Sequence, residues 1–186
     1  MRIISGIFRG KKLIQPSDNK TRPLKDLTKE SIFNIINHSN KLSVKIENSL
    51  ILDLFSGVGS FGIECLSRGA RFVTFIENYK EVLVILNKNL KNLKLINNYE
   101  ILEKDILSNF EFNSFNKKFD IIFLDPPYKE KNIFEIINKI INQNILNKNG
   151  LIIIHRHKSE IDKLPEKLKV VEEKKYGIAK ILFAKI

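Results

Sequence analysis

From Leu50 onward the chain alternates short apolar runs with amphipathic segments of helical length, and few folds accept that alternation. A run of five or six mostly apolar residues reads as a strand buried on both faces, and an apolar period near 3.6 reads as a helix with one covered stripe. The pattern predicts strands near 50–54, 71–76, 99–102, 119–124, 150–155, 168–173 and 179–185, with helices near 60–68, 79–92, 132–142 and 159–164. Strands and helices in alternation imply a parallel sheet covered by helices. Only the turn Lys174-Lys175-Tyr176-Gly177 separates the last two strands, so those two should pair antiparallel. The expected fold is α/β, a mostly parallel seven-stranded sheet with an antiparallel C-terminal hairpin.

Ahead of this pattern, residues 1–14 mix apolar and basic types around Gly6 and Gly10, followed by the turn-prone Pro16-Ser17-Asp18-Asn19 and Thr21-Arg22-Pro23. A small β-hairpin extension and a loop over residues 1–24 are expected, with the main domain over 25–186. Leu27, Ile32, Phe33, Ile35 and Ile36 then approach helical spacing and predict one amphipathic helix. A chain of 186 residues, 43% apolar, fills one core and leaves no room for a second catalytic domain. The net charge of +11 suits a polyanionic partner, although a lysine-rich surface also serves solubility alone. Arg2, Arg9, Lys11, Lys12 and Arg22 crowd a segment too short and polar to form its own core, and they are assigned to RNA contact.

Cys65 stands alone, which excludes an intramolecular disulfide, and with three histidines it offers no usual zinc spacing, so no metal is expected. No stretch reaches the roughly 18 uncharged apolar residues of a membrane span, and the beginning lacks a signal-like segment. A cytoplasmic protein without membrane contact is the expectation.

The segment Asp53-Leu54-Phe55-Ser56-Gly57-Val58-Gly59-Ser60-Phe61-Gly62 follows the first predicted strand and opens a helix. Its G-x-G-x-x-G spacing lets a ligand approach the main chain at a helix N-terminus. Glu77, twenty residues after Gly57, ends the next strand, where a carboxylate can accept both hydroxyls of a ribose. A nucleoside ligand is therefore expected, and the rival is a nicotinamide dinucleotide. Asp53 at the strand end would repel a pyrophosphate but would help hold the cationic amino group of a methionine moiety, directly or through water. That favours S-adenosylmethionine, with Asp53, Phe55, Ser56, Gly57, Gly59, Glu77 and Asn78 around it. Asp105, with Ile106 after the third strand, is placed to accept from an adenine amino group; an exposed loop acid is the equal alternative.

The fourth strand runs into Asp125-Pro126-Pro127-Tyr128. Two prolines fix φ and remove two N–H donors, so the turn offers carbonyls and the Asp125 carboxylate as a rigid acceptor array. Acceptors suit an exocyclic NH2 on a base, whose delocalised lone pair makes it a poor nucleophile. Hydrogen bonds from both its protons, to Asp125 and the Pro126 carbonyl, shift the nitrogen toward sp³ character and aim its lone pair at a methyl group. Asp125 would also touch the cofactor, and Tyr128 would stack on the extruded base. His155 and His157 share one face of a strand, and without a third ligand they are expected as a solvated or RNA-facing pair.

With these residues in place the chain resembles the bacterial RsmD family of 16S ribosomal RNA guanine-N2 methyltransferases. The resemblance rests on Arg2-Ile3-Ile4-Ser5-Gly6, Arg9-Gly10-Lys11-Lys12-Leu13, Thr21-Arg22-Pro23, Ser31-Ile32-Phe33-Asn34-Ile35, Asp53-Leu54-Phe55-Ser56-Gly57, Leu66-Ser67-Arg68-Gly69-Ala70, Asp125-Pro126-Pro127-Tyr128 and Tyr176-Gly177. It implies a class I S-adenosylmethionine-dependent methyltransferase, Rossmann-like, with a small N-terminal β-hairpin extension, acting as a monomer on one guanine of 16S rRNA in assembled or assembling small subunits. The chain departs from it at the fifth strand, where a glutamate followed by histidine is expected and Ile154-His155-Arg156-His157 stands instead. The residues alone give amino methylation of a base and do not separate guanine from adenine or cytosine. A DNA amino-methyltransferase, and an RNA-binding assembly factor without catalysis, stay open at this level.

Overall fold

The structure, a computed structural model, describes residues 1–17, 24–93, 97–108 and 110–186. In chain order it contains α1 (Asp26–His38), β1 (Leu50–Leu54), α2 (Ser60–Ser67), β2 (Phe72–Glu77), α3 (Lys80–Asn92), β3 (Tyr99–Glu103), β4 (Phe119–Leu124), α4 (Ile133–Asn142), β5 (Leu146–His157), β6 (Lys169–Tyr176) and β7 (Ala179–Lys185). One seven-stranded sheet runs in the order β3-β2-β1-β4-β5-β7-β6. The first five strands pair in parallel, and β7 is antiparallel to both β5 and β6.

Two-residue periodicity divides the core between the sheet's faces. Ile51, Ile121, Phe123, Leu151, Ile153, Ile181 and Phe183 enter one cluster, which holds the apolar stripes of α1, α2 and α3. Their chain neighbours Leu52, Ile122, Leu124, Ile152, Ile154, Leu182 and Ala184 enter the other, under α4. Helix α4 contributes Ile133, Ile136, Ile137 and Ile140, all buried, worth about 6–12 kcal/mol of transfer free energy before ordering costs. Across the first face Phe33, Phe61 and Phe123 stack with ring centroids 5.3 and 4.1 Å apart. Helix α2 lies so close to the sheet that a Cβ on Gly62 would stand 2.3 Å from the Phe75 ring. The last glycine of the G-x-G-x-x-G run thus serves packing.

Residues 1–13 reverse direction through one antiparallel bridge, Arg2 to Lys12, flanked by hydrogen bonds from Ile3 N to Lys11 O and from Gly10 N to Ile3 O. Ile3, Phe8 and Leu13 are buried in the first-face cluster, so the segment shares the main core. The wholly buried Glu64 carboxylate of α2 accepts the N–H groups of Ile4 and Ser5 at 2.7 and 2.9 Å. Lys29 lies 3.6 Å from Glu64 and donates to the Arg2 carbonyl. Gly6 has a φ of +81° and presses on the Ser67 carbonyl, where a Cβ would stand 1.8 Å away.

Two expectations about elements need correction. Residues 159–164 form no helix; they make a turn and an extended stretch. Pro165 disfavours helical backbone before it, and the Asp162 side chain is drawn inward to Arg156. Strand β5 begins at Leu146, not near 150, because Leu146 pairs with Phe119 ahead of a register shift.

Candidate active site

Parallel strand β1 has β2 on one side and β4 on the other, so the helices that follow these strands leave in opposite directions. A crevice opens at their carboxyl ends, the usual ligand position in such sheets. Asp53 comes from β1, Glu77 ends β2 and Asp125 follows β4, and all three line one cavity of about 380 Å³. Phe55, Ser56, Gly57, Asn78, Pro126, Pro127 and Tyr128 line it too. Gly59 is buried beneath the loop, and neither it nor Asp105 nor Ile106 forms part of that wall. Asp105 is exposed and accepts the Leu107 N–H at 2.9 Å, whereas Ile106 is buried in the second cluster. Arg2, Arg9, Lys11 and Lys12 are exposed on the N-terminal segment, and Arg22 lies outside the described residues.

The glycine loop gets its shape from alternate left-handed residues, Phe55, Gly57 and Gly59, with φ of 59°, 54° and 83°. Phe55 is the costly one, since a residue with a Cβ rarely adopts that region. Around Gly57 a Cβ would meet nothing within 4 Å, so the loop borders open space. Glu77 braces it: one carboxylate oxygen accepts Gly57 N–H at 2.8 Å, the other the N–H groups of Asn78 and Tyr79 at 2.9 Å. Asp53 is 1% exposed and accepts the Gly62 N–H at 2.9 Å. Burial pushes the Asp53 carboxyl well above the usual carboxylate range; the Gly62 hydrogen bond opposes this, and the charges of Asp125 and Glu77 reinforce it.

In a chain of net charge +11, no Lys, Arg or His lines this cavity among the described residues, while three carboxylates do. A pyrophosphate would meet the Glu77 and Asp125 carboxylates there with no Lys, Arg or His side chain among the described residues to offset them, which disfavours the nicotinamide dinucleotide rival. A nucleoside carrying positive charge fits the donor set.

The sequence did not reveal what holds the Asp-Pro-Pro-Tyr turn. His155, expected in solvent, is buried, and its Nδ1 lies 2.6 Å from Asp125 Oδ1. An ionised carboxylate only accepts, so Nδ1 donates, and capacity remains on the carboxylate for an amino N–H. His157 is half-buried with its ring edge-on to Tyr128, centroids 5.0 Å apart. Arg156, 1% exposed, turns to the other side of β5. It donates to the carbonyls of Pro127 at 3.3 Å and Glu130 at 2.7 Å, and its Nε to both Asp162 oxygens. Successive residues of one strand thus hold the turn by side chain and by backbone. Met1 and Pro16 also reach the cavity wall, brought there by the docking of the N-terminal segment on α2. The only sequence signal was the basic character of residues 155–157 on an otherwise apolar strand.

A seven-stranded sheet of this order, with a glycine loop after β1, an acid ending β2 and Asp-Pro-Pro-Tyr after β4, defines a class I S-adenosylmethionine-dependent methyltransferase fold. A family model described as Conserved hypothetical protein 95 matches residues 1–185. Ribosomal RNA small subunit methyltransferase D of Haemophilus influenzae is 36% identical over 179 residues, 96% of this chain and 90% of that protein. Its namesake in Escherichia coli is 33% identical over 154 residues, 83% of this chain and 73% of its own length. Among solved structures, yhhF of Escherichia coli superposes with a TM-score of 0.82 at 29% identity, covering 99% of this chain and 96% of that one. The chain belongs to this family, the RsmD family.

Proposed function

We propose that the chain methylates the exocyclic N2 amino group of a guanine in 16S rRNA of assembled or assembling small subunits, with S-adenosylmethionine as donor. The observation that carries this reading is the cavity in which Asp53, Glu77 and Asp125 meet beside Tyr128, with no Lys, Arg or His side chain on its wall among the described residues. The names of its relatives in Haemophilus influenzae and Escherichia coli support small-subunit rRNA as the substrate class. When bound, S-adenosylmethionine supplies an activated methyl group on a positively charged sulfur.

Each carboxylate has a separate task. Glu77 accepts the ribose hydroxyls, Asp53 balances the amino group of the methionine moiety, and Asp105 receives the adenine amino group from the neighbouring strand end. Asp125, oriented by His155, accepts one N–H of the target amine, and the Pro126 carbonyl accepts the other. The nitrogen lone pair then points along the line of transfer. As the C–N bond formed and the methyl–sulfur bond broke, leaving a neutral thioether, the proton shed by nitrogen would leave by way of the Asp125 carboxylate. Tyr128 stacks on the extruded base. Arg2, Arg9, Lys11, Lys12 and Arg22 of the 1–24 extension grip phosphates, and residues 25–186 form the catalytic domain. The enzyme works as a monomer in the cytoplasm.

Incubation with labelled S-adenosylmethionine on unmodified small subunits and on duplex DNA, followed by nucleoside analysis, tests the reading. N2-methylguanosine in rRNA is expected. Label in DNA, or folded protein that transfers no label to either, would overturn it.

A further inference from the structure

The segment between β5 and β6 leaves the sheet on the same side as the Asp-Pro-Pro-Tyr turn, and Arg156 pins the two together. One buried guanidinium holds the carbonyls of Pro127 and Glu130 on one side and Asp162 on the other. Lys158 N–H donates to Ile178 O, and Lys163 lies 5.4 Å above the Phe134 ring at the start of α4. The 158–163 loop is therefore tied at both ends and in the middle.

What such a fixed loop shows to solvent is unusual. Ile161 is 98% exposed at its tip. The two acids of the loop, Glu160 and Asp162, both face Arg156, at 3.9 and 2.8 Å. Lys158 and Lys163 are exposed, the latter with its ammonium over the Phe134 ring, and Lys129 and Lys131 are exposed on the facing turn. At 98% exposure the Ile161 side chain packs on almost nothing among the described residues.

We infer that the 158–163 loop is a second RNA-contact element, across the catalytic turn from the N-terminal segment, in which Lys158 and Lys163 meet phosphates and Ile161 enters the base stack. This rests on the proposed rRNA substrate and deepens it. Extruding a base leaves a gap between its neighbours, and proteins that unstack bases fill such gaps with apolar side chains such as isoleucine. A position beside Tyr128 suits that task, because Tyr128 edges onto His157, the residue that precedes the loop. The Arg156 tie keeps the tip in fixed register with the residue that would hold the extruded base.

The test compares Lys158→Ser with Lys163→Ser in one double variant, Ile161→Ser, Ile161→Leu, and a control pair, Lys45→Ser with Lys148→Ser. The control lysines flank Asp120 at the opposite end of the sheet. Binding is measured through a salt titration on protein-free 16S rRNA and on small subunits, and methyl transfer in single turnovers at subsaturating RNA. The loop double variant should lower the salt slope by about 1–2, at roughly 0.7–0.9 per phosphate contact, with no such change in the control pair. Ile161→Ser should slow transfer about tenfold, as for loss of one stacking contact, and Ile161→Leu should restore it. Cofactor affinity should stay unchanged throughout. The inference is overturned if the loop and control pairs behave alike, if Ile161→Ser transfers at the parent rate, or if binding falls on whole subunits but not on protein-free rRNA, which would assign the loop to a ribosomal protein. A parent chain that binds rRNA through these lysines yet transfers no methyl group would support the surface and overturn the catalytic reading.

Discussion

Arg156→Lys isolates the tie between β5 and the catalytic turn, because lysine keeps the charge and loses the fork. Arg156, itself 1% exposed, satisfies two backbone carbonyls and one carboxylate from three separate nitrogens. A single Nζ cannot stand at all three places, so about two acceptors lose their donor. These acceptors are part-buried and Pro127 is exposed, so water replaces much of what the guanidinium gave; each lost hydrogen bond costs about 0.5–1.5 kcal/mol, which gives about 1–3 kcal/mol for the variant. For a chain of this size each kcal/mol shifts Tm by about 2–4 °C, so a drop of at least about 2 °C is expected. The chemical step should suffer more than folding. Misplacing reacting groups by about 1 Å costs on the order of a hundredfold, and the Pro127–Glu130 stretch carries Tyr128. Cofactor affinity should change little, since Asp53 and Glu77 belong to β1 and β2. Thermal unfolding, a cofactor titration and single-turnover transfer on unmodified small subunits measure the three effects. A variant that melts within about 1 °C of the parent and transfers at the same rate would refute the reasoning.

Three more outcomes follow from the site. Asp125→Ala should slow single-turnover transfer on the order of a hundredfold while RNA binding survives, and Tyr128→Ala should lose about 1–3 kcal/mol of base capture that Tyr128→Phe retains. Equal losses in the two Tyr128 variants would contradict stacking. Asp53 binds its proton more tightly folded than unfolded, so its contribution to stability is complete below the ordinary carboxylate range and is lost as pH rises through its elevated folded value. Asp53→Asn should therefore reduce the fall in Tm that the ligand-free protein shows as pH rises above the ordinary carboxylate range, and weaken cofactor binding; an unchanged profile would count against a buried, proton-holding Asp53. Gly6→Ala should lower stability by well over the roughly 0.5 kcal/mol of a surface change, because its Cβ would overlap the Ser67 carbonyl, and a wild-type melting curve would exclude the docked N-terminal segment.

Sequence alone determined the features that depend on neighbours along the chain. Two-residue and 3.6-residue periods placed all seven strands and helices α1 to α4, because each element's burial pattern is written in its own residues. The glycine loop and the Asp125–Tyr128 turn were legible for the same reason, since glycine and proline act on the local backbone. Tertiary structure decided what depends on register. His155 reaches Asp125 thirty residues away only because β4 and β5 pair Leu124 with Ile154. Arg156 stood in the sequence only as part of the departure at the fifth strand; its partners, the Pro127 and Glu130 carbonyls and Asp162, come from the fold. The missing helix at 159–164 belongs with it, since Arg156, near the end of the preceding strand β5, claims Asp162. The N-terminal residues carry too few apolar side chains for a core of their own, and the buried Glu64 of α2, about sixty residues on, supplied the acceptors that dock them. A carboxylate's partner is set by which strand end or helix face it meets across the fold, and no local spacing encodes that meeting.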